Sequence, residues 1–141
     1  MLKVVLDTNI LVSATLSPKG TPAQIIKAWR KGKFKLIISP GLFEEMERVI
    51  FYPKVRKYSA WSEEEINYFL KELEQVSIKT PGRLSSRIVK NDPADDMFII
   101  TAIEGKANYI VSGDQHLLQL KTYEDIKIIT PANFLKILKD L

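Results

Sequence analysis

The 141 residues predict an α/β fold built on a parallel sheet. Three observations carry that expectation. Short apolar runs of strand length alternate along the chain with longer stretches of helical period. Several of the helical stretches open with a capping residue followed by proline, as in Ser39-Pro40, Asp92-Pro93 and Thr130-Pro131. Such a pair satisfies a free backbone N–H and presets the first helical φ. Two of the apolar runs close on a carboxylate, at Asp7 and at Asp114, which is how an open α/β sheet places charge in the crevice at its strand ends.

Leu2–Leu6 is the first expected strand, and a short helix follows from Asn9 to about Leu16. Ser17-Pro18-Lys19-Gly20 closes it. Thr21 then caps a helix with Pro22 at its first position, and Ile25, Ile26 and Trp29 form its inner face up to about Gly32. Phe34–Ile38 is the second strand, and the helix after Ser39-Pro40 runs to about Phe51. Tyr52 to Ala60 is basic and reads as a helical turn. Ser62 and Glu65 make a capping box, and Trp61 is placed to staple onto Ile66. Ile66, Phe69, Leu70 and Leu73 keep the helical period to about Gln75, and Val76–Lys79 is a short third strand. Pro81 to Asn91 reads as a loop carrying Arg83, Arg87 and Lys90. The helix from Asp92-Pro93 to about Glu104 is apolar nearly all round, which predicts burial. Asn108–Ser112 and Ile126–Ile129 are the fourth and fifth strands, with Gly113 expected to turn the backbone before Asp114. Phe134, Leu135 and Leu138 line one face of the last helix.

A chain of this length is expected to form one domain, residues 1–141, with a core of its own. It has no cysteine and one histidine, which excludes a thiolate zinc site, a cysteine nucleophile and a disulfide frame. No apolar run approaches the ~20 residues of a membrane span. Asp7 interrupts any signal-peptide layout at the N-terminus, so a cytoplasmic location is expected, with no membrane partner. The net charge of +4 suits a polyanionic partner.

Besides Asp7 and Asp114, two acid groups compete for the same edge of the sheet: Asp92-Pro93-Ala94-Asp95-Asp96 and Glu44-Glu45-Met46-Glu47. At 100° per residue, Leu42, Met46, Val49 and Ile50 define the buried face of the second group's helix. Glu44 points away from that face, and Glu45 and Glu47 flank it on either side, so periodicity leaves both open. Three or four clustered carboxylates repel one another unless a cation sits among them. All-oxygen ligands without cysteine imply Mg²⁺ or Mn²⁺, a setting suited to in-line phosphodiester hydrolysis.

LDTNIL, ISPGLFEEM and DPADDMFIITAIEGKANYIVSGDQHLL, in this order, resemble the PIN domain family, and the likeness covers nearly the whole chain. Within that family the chain resembles the small prokaryotic PIN proteins often described as toxin components. The resemblance implies a three-layer α/β/α arrangement with a parallel five-stranded sheet, order 3-2-1-4-5. It also implies a Mg²⁺- or Mn²⁺-dependent ribonuclease, an antitoxin protein as a partner, and a homodimer. By position, Asp7, Glu45, Asp95 and Asp114 match the family's four acids, as catalytic and metal-holding residues. Glu45 is chosen because it lies six residues after Ser39. Asp96 substitutes for Asp95 if the match slips by one. Thr8, Asn9 and Ser112 match polar groups that orient the carboxylates. One departure stands out: where many toxin-type relatives carry a further acid, this chain has Gln115 and His116.

The run from Lys27 to Lys35 has five positive charges and no negative one. Arg30, Lys31, Lys33 and Lys35 are therefore candidates for contact with an RNA backbone, although cations at a helix C-terminus also complement its dipole. The rival to an enzyme is a non-catalytic PIN-like RNA-binding or scaffold module, which calls for a missing acid, and all four are present. A phosphohydrolase of the haloacid-dehalogenase type calls for a second Asp two residues after the first, where this chain has Asn9. A receiver domain calls for an acid pair at the first strand and a late lysine, and neither pattern occurs.

Overall fold

The computed structural model describes residues 1–82 and 93–141, with side chains described for 1–82 and 97–141. The expected loop cations Arg83, Arg87 and Lys90, and the cap Asp92, lie outside the described residues, as do the side chains of Asp95 and Asp96. In chain order the elements are β1 Lys3–Leu6, α1 Thr8–Leu16, α2 Thr21–Arg30, β2 Lys35–Ile38, α3 Pro40–Ile50, α4 Pro53–Tyr58 and α5 Glu63–Val76. They continue with β3 Ile78–Lys79, α6 Pro93–Gly105, β4 Tyr109–Val111, α7 Gln115–Leu118, β5 Thr122–Tyr123, β6 Ile126–Ile129 and α8 Pro131–Lys139. Among the described residues no helix is long and apolar enough to cross a membrane.

The sheet order is β3-β2-β1-β4-β6-β5. Its first five strands are parallel and reproduce the expected order, with the expected fifth strand standing as β6. The sixth strand, β5, is an addition: Thr122 and Tyr123 pair antiparallel with Lys127 and Ile126 across a two-residue turn. That hairpin has no glycine or asparagine to announce it. Lys121 just before it (φ 59) and Glu124 in its turn (φ 53) take positive φ, and their residue types seldom adopt that conformation.

β1 lies at the centre because its residues tolerate burial on both faces: Val4, Val5 and Leu6 are all buried. The chain moves one way along the sheet from β1 to β2 and the other way from β3 to β4. Right-handed crossovers therefore put α2 and α6 on opposite faces. α6 packs on β1, β2 and β4. It reaches them closely because residue 105 is glycine: a Cβ there would stand 2.5 Å from Cγ2 of the buried Ile37. On the other face α2 packs against α8, with Phe34 and Phe134 edge to face at 5.0 Å. Each large apolar side chain buried this way stabilises the fold by about 1.5–3 kcal/mol.

The capping expectations hold at Ser39, Thr130 and the Ser62/Glu65 box, where both reciprocal bonds form at 3.1 Å. Two expectations are corrected. Thr21 is not the cap of α2 but its first residue. Gly20 caps it, since the Gly20 carbonyl accepts from Gln24 N at 3.1 Å and leaves Thr21 inside the helix. Gly113 turns the chain without left-handed φ, and a Cβ there would meet nothing within 4 Å, so the turn does not depend on glycine. Trp61 meets Phe69 edge to face at 5.3 Å, which anchors the start of α5 one turn beyond Ile66.

Gly105→Ala tests the close approach of α6. The β-branched Ile37 cannot swing aside without leaving its rotamer well. The variant is expected to lose about 1–3 kcal/mol in denaturant unfolding, the usual cost of overpacking. A neutral or stabilising outcome would show that β2 yields freely at this point.

Candidate active site

Parallel pairing brings the carboxyl ends of β1, β2 and β4 to one edge of the sheet. Leu6 pairs with Val111, so Asp7 and Ser112 follow side by side. The Asp7 N–H also donates to the Val111 carbonyl at 3.0 Å. Asp7 is 4% exposed and Ser112 is fully buried. The Ser112 hydroxyl donates to Asp7 Oδ2 at 2.7 Å, and Ser112 Oγ in turn accepts from the Asp114 N–H at 2.9 Å. Ser112 therefore ties the two acid-bearing strand ends together through one side chain.

Asp7 is also the N-cap of α1, its Oδ1 accepting from the Asn9 N–H at 3.1 Å. The described contribution of Asn9 is that backbone donor, and its residue is exposed. Thr8 is buried, and its hydroxyl donates to Glu45 Oε2 at 2.5 Å, in the short range of charge-assisted bonds. This settles where the α3 acids point. Glu45 is half-buried and faces α1, whereas Glu44 and Glu47 are exposed.

Asp114 caps the four-residue helix α7, its Oδ1 accepting from the His116 N–H at 2.8 Å. Gln115 and His116 are exposed, and the described role of His116 is that backbone bond. Asp95 and Asp96 lie in the first turn of α6, and nothing further is described of their side chains. α6 is held to α3 by a pair of hydroxyls, Ser39 and Thr101, of which the sequence marked only Ser39, as a cap. Thr101 donates to the Met97 carbonyl at 2.7 Å, which commits its proton. Ser39 must then be the donor in their mutual 2.8 Å bond. Met97 lies against Gly41 in the first turn of α3, where a Cβ would meet its sulfur at 3.0 Å. A threonine inside a nearly all-apolar helix is the signal that could have marked this pair.

Burial pushes the Asp7 carboxyl above its ordinary value of 3.8. The bonds from Ser112 and Asn9 oppose that shift, and the charges of Asp114 and Glu45 reinforce it. No lysine or arginine among the described residues pairs with Asp7, Glu45 or Asp114. Their donor chemistry, carboxylate oxygen without sulfur or imidazole, fits a hard divalent cation. Among the described residues, however, no group of three His, Asp or Glu side chains is close enough to hold an ion. The described carboxylates therefore do not close a ligand set by themselves.

The basic run sits elsewhere. Lys35 pairs in register with Lys3, so it begins β2 at the end of the sheet opposite Asp7, about 13 Å away along β1. Lys31 and Lys33 line a groove of about 400 Å³ with Lys27, Lys139 and Leu138. Arg30 donates to Glu72 at 2.7 Å and stacks over Trp61 and Phe69, both at 5.4 Å. Trp29 is 5% exposed and packs edge to face on Phe69, which makes it a core residue.

Because the folded chain holds the Asp7 proton more tightly than the unfolded chain does, raising the pH above about 3.8 deprotonates the unfolded state first. Stability therefore falls as pH rises through that window, and the loss is complete above the folded pKa. In metal-free protein Asp7→Asn is expected to remove this loss. At pH 7 it should raise the unfolding free energy by about 1 kcal/mol, the scale seen when strained functional sites are relieved. Thermal unfolding from pH 4 to 7 in chelator checks it, and a variant less stable than wild type at pH 7 would refute it.

A family model described as PIN domain matches residues 3–116, about four-fifths of the chain, and that span contains Asp7, Glu45, Asp95 and Asp114. An uncharacterized protein of Methanocaldococcus jannaschii is 30% identical, in an alignment covering 96% of this chain and 90% of that protein. The match agrees with the parallel sheet, whose order reverses beside β1, and with acids gathered at its carboxyl edge. The chain belongs to the PIN domain family, whose members are commonly nucleases that use divalent metal ions.

Proposed function

We propose that the protein is an endoribonuclease that hydrolyses RNA phosphodiester bonds at the carboxyl edge of its sheet with the aid of Mg²⁺ or Mn²⁺. The observation that carries the proposal is Asp7: a carboxylate buried at the end of the central strand, loaded by the charges of Asp114 and Glu45, with no lysine or arginine among the described residues paired to it. Evolution seldom retains such a cost without a use for the charge.

In this reading Asp7, Asp95 and Asp114 would hold the ion, and Glu45 would hold a second ion or position the attacking water. A bound divalent ion neutralises the carboxylates, favours deprotonation of water and stabilises negative charge on the attacked phosphate. The chain's own groups supply orientation. Ser112 fixes Asp7 Oδ2 and the backbone before Asp114, and Thr8 fixes Glu45. The buried hydroxyls keep their rotamers because strand and helix backbones hold them, as preorganisation requires. Water is the nucleophile, so its oxygen bonds to phosphorus as the bond to the leaving ribose oxygen breaks. The RNA 2′-hydroxyl takes no part in bond making.

Cleavage of structured and unstructured RNAs with Mg²⁺ or Mn²⁺ is the test. Asp7→Asn and Asp114→Asn are expected to abolish measurable cleavage, Ser112→Ala to lower it about 10–100-fold, and chelator to stop it. Products should carry no 2′,3′-cyclic phosphate. Mn²⁺ should also raise the unfolding temperature of wild type and not of Asp7→Asn. Equal cleavage by wild type and both Asp variants would overturn the mechanism. Growth arrest on expression of wild type, absent with Asp7→Asn, is the result that would extend the reading to a toxin.

A further inference from the structure

The basic groove beside α8 is far from the acid site and offers no exposed ring. A second basic surface starts beside the acid site. Between Arg48 and Trp61 the chain carries four positive charges and no negative one. Glu45, Arg48 and Tyr52 follow one another at i, i+3 and i+7, so they line one stripe along α3 and its C-terminal end. The stripe leaves the acid site at Glu45 and reaches Tyr52 about 10 Å further along the axis. It continues onto α4, which packs on both α1 and α3.

Two tyrosines stand on this surface, Tyr52 at 42% and Tyr58 at 63% exposure. Each is steadied by a cation. The Arg48 guanidinium donates to the Tyr52 hydroxyl at 2.6 Å and lies 5.9 Å from its ring centre. Lys57 Nζ lies 5.4 Å from the Tyr58 ring. Such contacts restrict the rings before any ligand arrives, which lowers the ordering cost of binding. Exposed rings set among lysines and arginines on a rigid helix are the chemistry that binds single strands: bases stack on the rings and phosphates meet the cations.

We propose that α3's exposed stripe and α4 form a track for single-stranded RNA leading away from the acid site. Tyr52 and Tyr58 are its stacking platforms, and Arg48, Lys54 and Lys57 its phosphate contacts. The proposal rests on the ribonuclease reading for the identity of the strand. It names a surface that reading does not use.

The test is binding of a labelled single-stranded RNA of roughly 12 nucleotides, within the usual range of single-strand sites. Fluorescence anisotropy is read in EDTA, so that no cleavage occurs. Tyr52→Ala and Tyr58→Ala are each expected to weaken binding roughly tenfold, and Tyr58→Phe, which keeps the ring, to bind as wild type. Lys54→Gln and Lys57→Gln should each lower the slope of log affinity against log salt by about 0.7. Unchanged affinity in both alanine variants overturns the track, as does a loss confined to Lys31→Gln and Lys33→Gln in the opposite groove. Altered sedimentation of the tyrosine variants with unaltered RNA affinity also overturns it, in favour of a surface between copies of this chain. Tyrosine-dependent binding by a protein that cleaves no RNA with Mg²⁺ or Mn²⁺ leaves the track standing and removes the ribonuclease reading. Cleavage by wild type with tyrosine-independent binding does the reverse.

Discussion

The structure depends on keeping a carboxylate out of water at the end of its most buried strand. Val4, Val5 and Leu6 are covered on both faces, and Asp7 follows them directly at 4% exposure. An acid in that position loses hydration and recovers part of it from two donors, the Ser112 hydroxyl and the Asn9 N–H. Neither donor neutralises the charge, and the nearby Asp114 and Glu45 make ionisation harder still. A fold designed only for stability would put a neutral group there. The residual cost is the mark of a site that uses the charge.

Everything that assembles the site follows from strands running the same way. Parallel pairing carries Asp7, Ser39 and Ser112 to one edge, and each then begins or precedes a helix that leads away from it. The caps therefore have two tasks. Asp7 caps the start of α1 and sits among the acids, and Asp114 caps the start of α7 while its backbone is held by Ser112. Ser39 caps the start of α3 and, through Thr101, locks α6 against it. Small hydroxyls between helix starts hold these elements in register where a hydrophobic contact alone would let them slide.

Much of the fold was legible because it rests on local chemistry. The central strands and the helices opened by proline announced themselves through apolar runs and caps whose physics acts within a few residues. β5 was not legible, since Lys121 and Glu124 take left-handed conformations that their residue types rarely adopt, held there by pairing with β6. The start of α2 was misplaced by one residue for a similar reason: which carbonyl accepts the first helical bond depends on how the chain leaves α1. At the site, Thr8 and Ser112 sat beside acids in the sequence and do so in space. The Ser39–Thr101 pair, 62 positions apart, left only a threonine in an apolar helix as its trace.

The sequence by itself determined that acids would end strands, that those strands would be parallel, and that the second acid would come from a helix flank. Strand periodicity, caps and charge are properties of short segments and survive without the rest of the chain. Periodicity did not determine which flank, because Glu45 and Glu47 are equivalent on an isolated helix, and only the likeness to the PIN family pointed to Glu45. The tertiary structure decided that by packing α3 against α1, so that Glu45 meets the Thr8 hydroxyl and Glu47 faces solvent. It decided in the same way that the Lys27–Lys35 run stands at the far end of the sheet, while a basic surface with exposed tyrosines begins one helical turn from Glu45. Proximity between distant segments is set by how whole elements pack, and no local pattern encodes it.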